Sequence, residues 1–531
     1  MATESAHHAP QVPPGNNGAP PRAGLVLTAL VLTAMVCNLN ISAANVALPS
    51  IGRAFDASQI VLNLVGVGSG LGLSMSVLYF GAIADRYGRK QVLTLGLVFV
   101  VLASLLSAFA PNVGVLFAAR VFTGLAAGMA YPTTLSLITA LWAPGPGRTG
   151  AIAVWSGVGG MTSVAGGVLA GTLLIWFPWG SVFFLSVPVA GLALGLVAAV
   201  VPSHVGESAE PVDHLGGILS ALGIAPLILG VSFVFDPDLG TLGIWLLGIA
   251  AAVLLVFVVR QVFARNPIFD LHIVGRRMFW VPALTGGIIF GGMIGAIFVG
   301  EQFMQNILGY SALGAGLAVI PAAVGLVFSS PVAAKLVTSS GTRTTMLTGY
   351  SIVFAGFITM LFWREHSPYV LLGVGFLAIG SGAAFVITSS SRALTSSVPV
   401  RRAGMASATS DLQADLGGSV MQALLGAILA LGFSSAIGAR IDQTGQADAI
   451  GTDITRALRS SFASAAQVAD QFPQYRDAIL EAARQSLVDG ALAAYLVGGL
   501  SILCGAILVV TLLPSNAREK ELLAGYAADQ D

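Results

Sequence analysis

Long apolar runs recur along almost the whole chain, and this feature constrains the fold more than any other. Each of fourteen runs is long enough to cross the ~30 Å hydrocarbon core of a bilayer as a helix. The runs begin near Leu25, Ile60, Val92, Val113, Thr149, Val182, Gly216, Leu239, Phe279, Leu313, Thr344, Tyr369, Met405 and Ala491. Only 9% of the 531 residues are charged, whereas roughly a quarter are charged in a soluble protein. The sequence therefore predicts an all-α integral membrane protein with 14 transmembrane helices.

Composition narrows the class further. The chain holds 65 glycines, which suits helices that pack closely in lipid. Its formal net charge is zero, so nothing favours a nucleic-acid partner. Cys37 and Cys504 both fall inside apolar runs and predict no disulfide framework. Residues 1–23 have no apolar core and are expected to form a disordered tail.

Basic residues predict the side of the membrane on which each loop lies. If the N-terminus is cytoplasmic, sixteen of the 24 Lys and Arg residues fall in cytoplasmic segments, Arg120 falls inside the membrane and seven fall in external segments. Five of those seven lie in one long external loop, which counts little in the positive-inside rule. Fourteen spans place both ends of the chain on one side. We therefore expect both termini in the cytoplasm and the chain in the inner (plasma) membrane of a bacterial-type cell.

A charged segment between the second and third runs has a distinctive spacing. It reads Gly81-Ala82-Ile83-Ala84-Asp85-Arg86-Tyr87-Gly88-Arg89-Lys90. Gly88 allows a sharp turn, and Arg89 and Lys90 favour the cytoplasmic surface. Asp85 lies where it can pair with Arg86 or with a neighbouring helix end.

This segment resembles the loop signature of the major facilitator superfamily, Gly-x-Leu-Ala-Asp-Arg-x-Gly-Arg-Lys, with Ile83 at the Leu position. The resemblance implies a transporter. It also implies a conformational motif, which latches helix ends during transport and comprises Gly81, Asp85, Arg86, Gly88, Arg89 and Lys90.

The order of the runs resembles the fourteen-span drug:proton antiporter branch of that superfamily, and the segments 45–49, 266–271 and 308–316 are also similar to it. The resemblance implies the major facilitator fold, in which substrate binds at mid-bilayer between two six-helix bundles. The expected divisions are a cytoplasmic tail (1–23), an N-terminal six-helix bundle (24–202), two linker transmembrane helices with flanking cytoplasmic loops (203–278), a C-terminal six-helix bundle (279–514) that includes an external loop (436–489), and a cytoplasmic tail (515–531).

The external loop at 436–489 has a periodicity of its own. Its apolar residues recur at helical spacing, are interrupted at Pro473 and resume at Ile479. The first series is Ile454, Leu458, Phe462, Ala465 and Val468. We interpret the loop as a helical hairpin. It is either a self-folded lid that adds only stability, or a gate or docking site for an envelope partner.

Ionisable residues inside a bilayer are costly and are functional candidates by default. Arg120 begins the series Arg-Val-Phe-Thr-Gly, which matches the Arg-x-x-x-Gly motif of the superfamily's fourth helix. The resemblance implies a part in proton transfer for Arg120. The alternative is that its guanidinium only satisfies backbone carbonyls of the first helix.

Asp411 and Asp415 are four residues apart, and so lie on one face of the thirteenth run. Asp415 lies roughly 15 Å along the helix from Met405, close to mid-bilayer. Two neighbouring carboxylates in a low dielectric cannot both ionise cheaply, so one is expected to hold a proton. The pair either couples transport to protons or pairs with a polar neighbour. Glu301, near the outer end of the ninth run, is a further coupling candidate unless it only faces external water.

Two positions depart from the antiporter branch. Members commonly have an acidic residue in the first span where this chain has Asn38-Leu39-Asn40. A proton carrier would then lie elsewhere, at Asp411, Asp415 or Glu301, because an amide releases no proton. The fifth span keeps glycines that allow close packing, but has Thr162-Ser163 where the antiporter motif has Gly-Pro, which leaves the direction of transport open. The retained glycines are Gly166, Gly167 and Gly171.

Polar and aromatic residues of the spans are candidates for the wall of a central cavity, with helix packing as the alternative for the aromatic ones. They are Asn38, Asn40, Tyr131, Trp155, Phe298, Gln302, Gln305 and Gln413.

The predicted function is secondary active transport, with proton-coupled efflux of lipophilic or cationic drugs by alternating access. An exporter of lipid or metabolite, a symporter of the same fold, and a membrane scaffold or signalling protein that uses the external loop are the alternatives. The chain has no phosphate-binding loop, and its six histidines fall in tails or loops, so we expect no enzymatic activity, cofactor or metal site. The expected partners are a small-molecule substrate, protons and the lipid bilayer, and no nucleic acid.

Overall fold

The computed structural model describes residues 19–143, 146–203, 211–236, 238–269, 271–398, 403–443 and 451–528, and all regular structure in these ranges is helical. The helices are α1 (Ala23–Phe55), α2 (Gln59–Tyr87), α3 (Arg89–Ala108), α4 (Val113–Leu141), α5 (Pro146–Trp176), α6 (Ser181–Phe184), α7 (Ser186–Val200), α8 (His214–Phe233), α9 (Gly240–Phe263), α10 (Leu271–Val274), α11 (Arg277–Asn306), α12 (Ala312–Ala318), α13 (Ile320–Met360), α14 (Tyr369–Ser396), α15 (Ala403–Gln443), α16 (Thr452–Ser460), α17 (Phe462–Gln471), α18 (Arg476–Leu512) and α19 (Asn516–Ala528).

Twelve of the described helical segments are long and apolar enough to cross a membrane, where the sequence predicts fourteen. The segment Ala312–Met360, which joins α12 and α13, counts once with 49 residues. It bends at Gly341, whose φ of 84° and ψ of 172° lie outside the helical range. Within the residues of α5 that the structure describes, the apolar stretch is Ala165–Trp176, which is shorter than a span.

The helices pack into two groups. In the first, α1 contacts α4, α5 and α7, α2 contacts α4, and α3 contacts α4 and α7. In the second, α11 contacts α14, α15 and α18, and α13 contacts α14 and α18. We call the group α1–α7 the N-half and the group α11–α15 with α18 the C-half. Contacts of α2 with α15, and of α5 with α12, join the halves.

Glycines allow a close crossing of α2 and α4 in the N-half. A Cβ atom at Gly72 of α2 would collide with the backbone of α4 at Val121, and one at Gly124 of α4 would collide with the backbone of α2 at Ser69. The two helices therefore touch backbone to backbone, as small residues allow in membrane proteins. The glycine content noted in the sequence thus serves helix packing at this crossing.

Helices α8 and α9 form a separate pair that packs against α2 and α15 through α8. Asp213 caps α8 by accepting from the Gly216 N–H at 3.0 Å, and its carboxylate also accepts from Arg260 and Gln261 of α9, both at 3.1 Å. The Tyr79 hydroxyl of α2 hydrogen-bonds to His214 Nδ1 at 3.0 Å. Asp213 and Tyr79 therefore join the pair at one end and tie it to the N-half.

The two ends of the bundle carry different features, from which we name them. The turn end holds the α2–α3 turn at Gly88, and the hairpin end holds α16 and α17.

The sequence predicts one continuous helix across residues 454–468, but the structure divides it at Ser461, whose backbone is extended with φ of −167°. The Ser461 hydroxyl caps α17 by accepting from the Ser464 N–H at 3.1 Å. A serine in this position favours the start of a new helix over continuation of the old one.

Candidate functional site

A polar cluster lies where α1, α4 and α5 of the N-half meet α15 of the C-half, and we call it the central site. The Tyr131 hydroxyl of α4 shares a hydrogen bond with the Asn38 side chain of α1. Asp411 and Asp415 of α15 lie close enough for their charges to act on that same hydroxyl. Trp155 of α5 completes the cluster, with its ring centroid 5.4 Å from that of Tyr131. The structure thus brings together five of the residues proposed from sequence.

The carboxylates come from the C-half and face residues of the N-half. Asp415 lies near the Cys37 thiol of α1 as well as near Tyr131. Its Oδ2 atom is buried and has no hydrogen-bond partner among the described residues. A buried carboxylate oxygen without a hydrogen-bond donor makes the anionic form costly, so Asp415 is suited to hold a proton.

The aromatic wall of the central site is held rigidly. The Trp155 indole N–H donates to the Thr134 hydroxyl at 2.9 Å, and Trp155 is 8% exposed. The fixed ring faces Tyr131 at an interplanar angle of 38°. Aromatic faces attract cations. The site therefore offers two features that a lipophilic cation requires, an aromatic surface and a negative charge.

Arg120 lies inside the N-half, away from the central site. Its Nη1 donates to the backbone carbonyl of Asn40 at 2.9 Å, and its guanidinium lies 5.4 Å from the Phe183 ring centroid. Its Nε and Nη2 have no partner among the described residues. This geometry is the alternative considered from sequence, in which Arg120 satisfies a carbonyl of the first helix, and the part in proton transfer stays a prediction.

Asn40 also faces the interior of the N-half. It is 3% exposed, and its side-chain oxygen accepts from the Ser104 hydroxyl at 3.5 Å. Its amide donates to the Val36 carbonyl at 3.1 Å. Asn38 and Asn40 are neighbours in sequence, but in the structure only Asn38 belongs to the central site.

Three other candidates from sequence contact residues outside the central site. Gln413 turns into the C-half, where it accepts from the Ser390 hydroxyl at 3.1 Å. Phe298 packs against α2 near Gly66, and Gln305 donates to the Val46 carbonyl of α1 at 3.2 Å. Glu301 is 6% exposed with an unpartnered Oε2 among the described residues. It shares α11 with Gln302, whose Nε2 is likewise unpartnered. Their proposed roles stay predictions.

Polar contacts that join α1 and α2 to α15 were not among the candidates from sequence. Asn63 donates to the Ala423 carbonyl at 3.1 Å, and Gln422 to the Asn45 side-chain oxygen at 3.4 Å. Ser74 and Ser419 lie 3.4 Å apart. The signal was available, because amides inside apolar spans are unusual and need a partner. The sequence cannot show that those partners lie in the opposite half.

At the hairpin end the halves are also in contact. The Ser464 hydroxyl of α17 donates to the Asp56 carboxylate at 2.7 Å, and Gln467 donates to the Arg53 carbonyl at 3.2 Å. Arg53 and Asp56 lie at the end of α1, so the hairpin of α16 and α17, which follows α15 of the C-half, rests on the N-half. The glycines of the fifth span support the same closure, since a Cβ atom at Gly171 would lie 2.5 Å from Leu313 Cα of α12.

The remaining glycines of the fifth-helix motif face two different neighbours. Gly166 packs against α1, where a Cβ atom would lie 3.0 Å from Ser42 Cβ. Gly167 lies between α1 and α12, because a Cβ atom there would lie 3.4 Å from Val46 Cγ2 and 3.6 Å from Gly316 Cα. Gly166 therefore serves packing within the N-half, Gly171 serves contact between the halves, and Gly167 serves both.

The Gly81–Lys90 segment holds the turn end of the N-half together. Gly88 adopts φ of 113°, a value that favours glycine. Asp85 Oδ1 pairs with Arg89 Nη2 at 2.9 Å, Arg89 reaches the Ser136 carbonyl of α4, and Lys90 Nζ donates to the Ala198 carbonyl of α7 at 3.0 Å. Arg86 of the same segment also has an interaction partner. At Gly81, by contrast, a Cβ atom would meet open space.

These features define a multi-pass integral membrane protein of two helical halves with a polar site between them. The sequence profile of the Major Facilitator Superfamily matches residues 30–422. The chain belongs to that superfamily.

Curated relatives carry names from drug efflux. The chain is 29% identical over 402 residues to the multidrug resistance protein Stp of Mycobacterium tuberculosis, in an alignment that covers 75% of this chain and 74% of that protein. It is 29% identical over 470 residues to the multidrug efflux pump LfrA of Mycolicibacterium smegmatis, covering 86% and 93%. It is also 29% identical over 477 residues to the methyl viologen resistance protein SmvA of Salmonella typhimurium, covering 88% and 93%.

Solved transporters share the fold. A bacterial homologue of the lysosomal transporter Spinster, in an inward-facing and unoccupied conformation, superposes with a TM-score of 0.57 at 18% identity, covering 93% of this chain and 98% of that one. The peptide transporter POT in complex with sulfate superposes with a TM-score of 0.60 at 16% identity, covering 96% and 98%. At these identities the comparison supports the fold alone.

Proposed function

We propose that the chain is a proton-coupled efflux transporter for lipophilic cations, which works by alternating access. The observation that carries the proposal is the central site, where two carboxylates of the C-half face an aromatic and amide surface of the N-half. The three relatives named for multidrug or methyl viologen resistance support the substrate class. They favour drug efflux over lipid or metabolite export, symport, or a scaffold function.

The carboxylate pair supports the coupling. Each of Asp411 and Asp415 can hold a proton, while the aromatic surface of Tyr131 and Trp155 can hold the substrate whether or not the pair is protonated. If the pair takes up a proton on the side where substrate leaves and releases it on the side where substrate binds, proton and substrate are exchanged across the membrane. We assign Asp411 and Asp415 the coupling role, with Glu301 as the next candidate and Arg120 as a group that braces α1 against α4 through the Asn40 carbonyl.

The contacts between the halves support a state that is closed at the hairpin end. In the proposed cycle, opening that end breaks the contacts of Ser464 and Gln467 with the end of α1, and the helices α5 and α12 separate at Gly171. This role makes the hairpin a gate. The proposal leaves no need for an envelope partner there.

We further propose that the chain crosses the inner membrane of a bacterial-type cell fourteen times. Both termini then lie in the cytoplasm. Two features support this number. The described helix α5 has 31 residues, and the bend at Gly341 divides the 49-residue segment into two stretches. The turn end is then cytoplasmic, which agrees with the basic residues of the Gly81–Lys90 segment, and the hairpin end is external.

Thiol labelling tests this topology. In a background with Cys504→Ser, a cysteine at Arg456 of α16 is expected to react with an impermeant maleimide in intact cells, because that side chain is 78% exposed and lies at the hairpin end. A cysteine at Arg518 of α19, which is 66% exposed, is expected to react only after the cells are permeabilised. The reverse labelling pattern would overturn the fourteen-span orientation.

Resistance profiling tests the proposed function. Expression in an efflux-deficient bacterial host is expected to raise the inhibitory concentrations of methyl viologen and ethidium by about fourfold or more, because export lowers the steady-state concentration of each compound inside the cell. The Asp411→Asn, Asp415→Asn double variant, present in the membrane at the same level, is the control and is expected to give no increase. Unchanged tolerance to both compounds would contradict the proposal.

A further inference from the structure

The turn between the second and third helical stretches of the N-half has three parts. The first is a glycine with positive φ, Gly88 at 113°. The second is the residue after it, Arg89, which is held by the carboxylate of Asp85. The third is the residue two positions after the glycine, Lys90, which donates to the Ala198 carbonyl near the end of the last helix of the N-half.

The C-half repeats two of these parts at the equivalent place, the bend within α13. Gly341 has a positive φ of 84°. Arg343, two positions after it, donates through Nη2 to the Val510 carbonyl at 2.7 Å. Val510 lies near the end of α18, the last helix of the C-half, just as Ala198 lies near the end of α7. The two halves therefore bind their turns to corresponding helices in the same way.

The bend at Gly341 has no carboxylate close to it in sequence that corresponds to Asp85. The residue three positions before Gly341, which corresponds to Asp85, is Thr338, and residues 331–340 contain no Asp or Glu. Thr338 is exposed, and its hydroxyl donates to the Lys335 carbonyl at 2.7 Å. The stretch that starts at Thr342 nevertheless needs acceptors for its first backbone N–H groups.

Glu519 of α19 provides that carboxylate. Its Oε2 accepts from the Thr342 N–H at 2.9 Å and its Oε1 accepts from the Thr342 hydroxyl at 2.6 Å. Glu519 is 6% exposed, so this is a buried contact with both oxygens in use. A carboxylate at the start of a helix also interacts favourably with the helix dipole. In each half, then, a carboxylate holds the residue that directly follows the turn glycine.

Further contacts hold α19 in place. Asn516 donates to the Ser339 carbonyl at 3.4 Å. The Arg276 guanidinium, at the start of α11, lies 4.3 Å from the Tyr526 ring centroid, and Arg276 Nη1 donates to the Ser397 carbonyl just after α14 at 2.6 Å. The helix α19 thus connects the bend of α13 with the start of α11 and the end of α14.

We infer that Glu519 is a positioning residue of the transport cycle, and that it does for the C-half what Asp85 does for the N-half. The helix α19 carries it to the turn end, where it keeps the bend at Gly341 fixed so that the C-half moves as one body. The inference rests on the proposed transport function. A chain that moves no substrate at all would contradict that function, whereas an active chain indifferent to Glu519 contradicts only the inference.

The test compares two carboxylates on one helix. Glu519→Gln removes the charge that holds Thr342. Glu521→Gln, two residues further on, removes an exposed charge whose ion-pair partner in the described part of the chain is Arg518. Purified variants are compared for ethidium transport in proteoliposomes. Spin labels on cysteines at Gln91 and Lys335, which are exposed at the turn end of the two halves, report the distance between the halves. A third variant with Thr338→Asp, Thr342→Arg and Glu519→Gln copies the Asp85–Arg89 pair into the C-half.

We expect Glu519→Gln to lower the maximal rate of ethidium transport about fivefold or more, while KM stays within about twofold of the unmodified chain's value. The distribution of distances between the two spin labels is expected to shift. The variant with the copied pair is expected to regain at least half of the rate. A rate and a distance distribution equal to those of Glu521→Gln would overturn the inference. If Glu519→Gln does not fold, Glu519→Asp, which keeps the charge on a shorter side chain, takes its place, and an unaltered rate in that variant would overturn the inference equally.

Discussion

Replacing both Asp411 and Asp415 by asparagine is expected to abolish accumulation of substrate driven by a pH gradient, while exchange of substrate for substrate continues. Both carboxylates lie at the central site, between α15 of the C-half and the residues Cys37 and Tyr131 of the N-half. Exchange needs only the motion that alternates access, whereas net accumulation needs a group that carries the proton in the opposite direction.

The single variants identify which carboxylate titrates. We expect Asp415→Asn to have the larger effect, because Asp415 Oδ2 is buried and has no hydrogen-bond partner among the described residues. Asp442→Asn is a matched control, since Asp442 lies near the exposed end of the same helix. Proteoliposomes loaded with unlabelled ethidium measure exchange, and an imposed pH gradient measures accumulation.

The outcome that contradicts the coupling role is full proton-driven accumulation in both single variants and in the double variant. Glu301 then becomes the next residue to test, because its buried Oε2 is also unpartnered among the described residues. Loss of exchange together with accumulation would place the pair in substrate binding and not in coupling alone.

Replacing Gly171 by valine is expected to reduce transport about tenfold or more by preventing closure of the hairpin end. A Cβ atom at Gly171 would lie 2.5 Å from both the N and the Cα atoms of Leu313. These are backbone atoms of the opposite half and cannot move aside as a side chain can. The helices α5 and α12 would have to separate, which favours the state open at the hairpin end and leaves the fold of each half intact.

Gly195→Val is the matched control, because no atom lies within 4 Å of the Cβ position at Gly195 of α7. Closure is measured with a cysteine at Gln305, which in the closed state donates across the halves to the Val46 carbonyl. We expect an impermeant thiol reagent to label this cysteine faster in Gly171→Val than in Gly195→Val. Equal labelling and equal transport in the two variants would show that the α5–α12 contact does not gate the hairpin end.

The sequence predicts the helical elements well, because crossing a bilayer imposes a length and an apolar composition that are visible one helix at a time. The Gly88 turn was predictable for a similar reason, since Gly88 and its charged neighbours lie within one short segment. The partner of Asp85 was not, because the sequence proposed Arg86 or a helix end, whereas the structure pairs Asp85 with Arg89. The bend at Gly341 was predictable only as a boundary between two apolar runs. Its carboxylate, Glu519, comes from a segment that the sequence analysis assigned to a tail.

The central site shows where prediction from sequence ends. Asp411 and Asp415 could be placed on one helical face from their spacing, but the residues opposite them, Asn38 and Tyr131, depend on how two halves dock. Gln413 lies between the two aspartates in sequence, yet turns into the C-half toward Ser390. A helix rotates its side chains by about 100° per residue, so neighbours in sequence face different surroundings. Only the packing of the halves decides which face meets the substrate path.

The most direct test of proton-coupled efflux uses the purified full-length chain in proteoliposomes. Vesicles with an acidic lumen are placed in alkaline buffer that contains ethidium, and lumenal pH and ethidium uptake are followed together. The account predicts that ethidium accumulates in the lumen as protons leave, that a protonophore stops the accumulation, and that the Asp411→Asn, Asp415→Asn double variant shows neither the accumulation nor the coupled loss of protons. Ethidium accumulation that continues undiminished after the pH gradient is collapsed would contradict it.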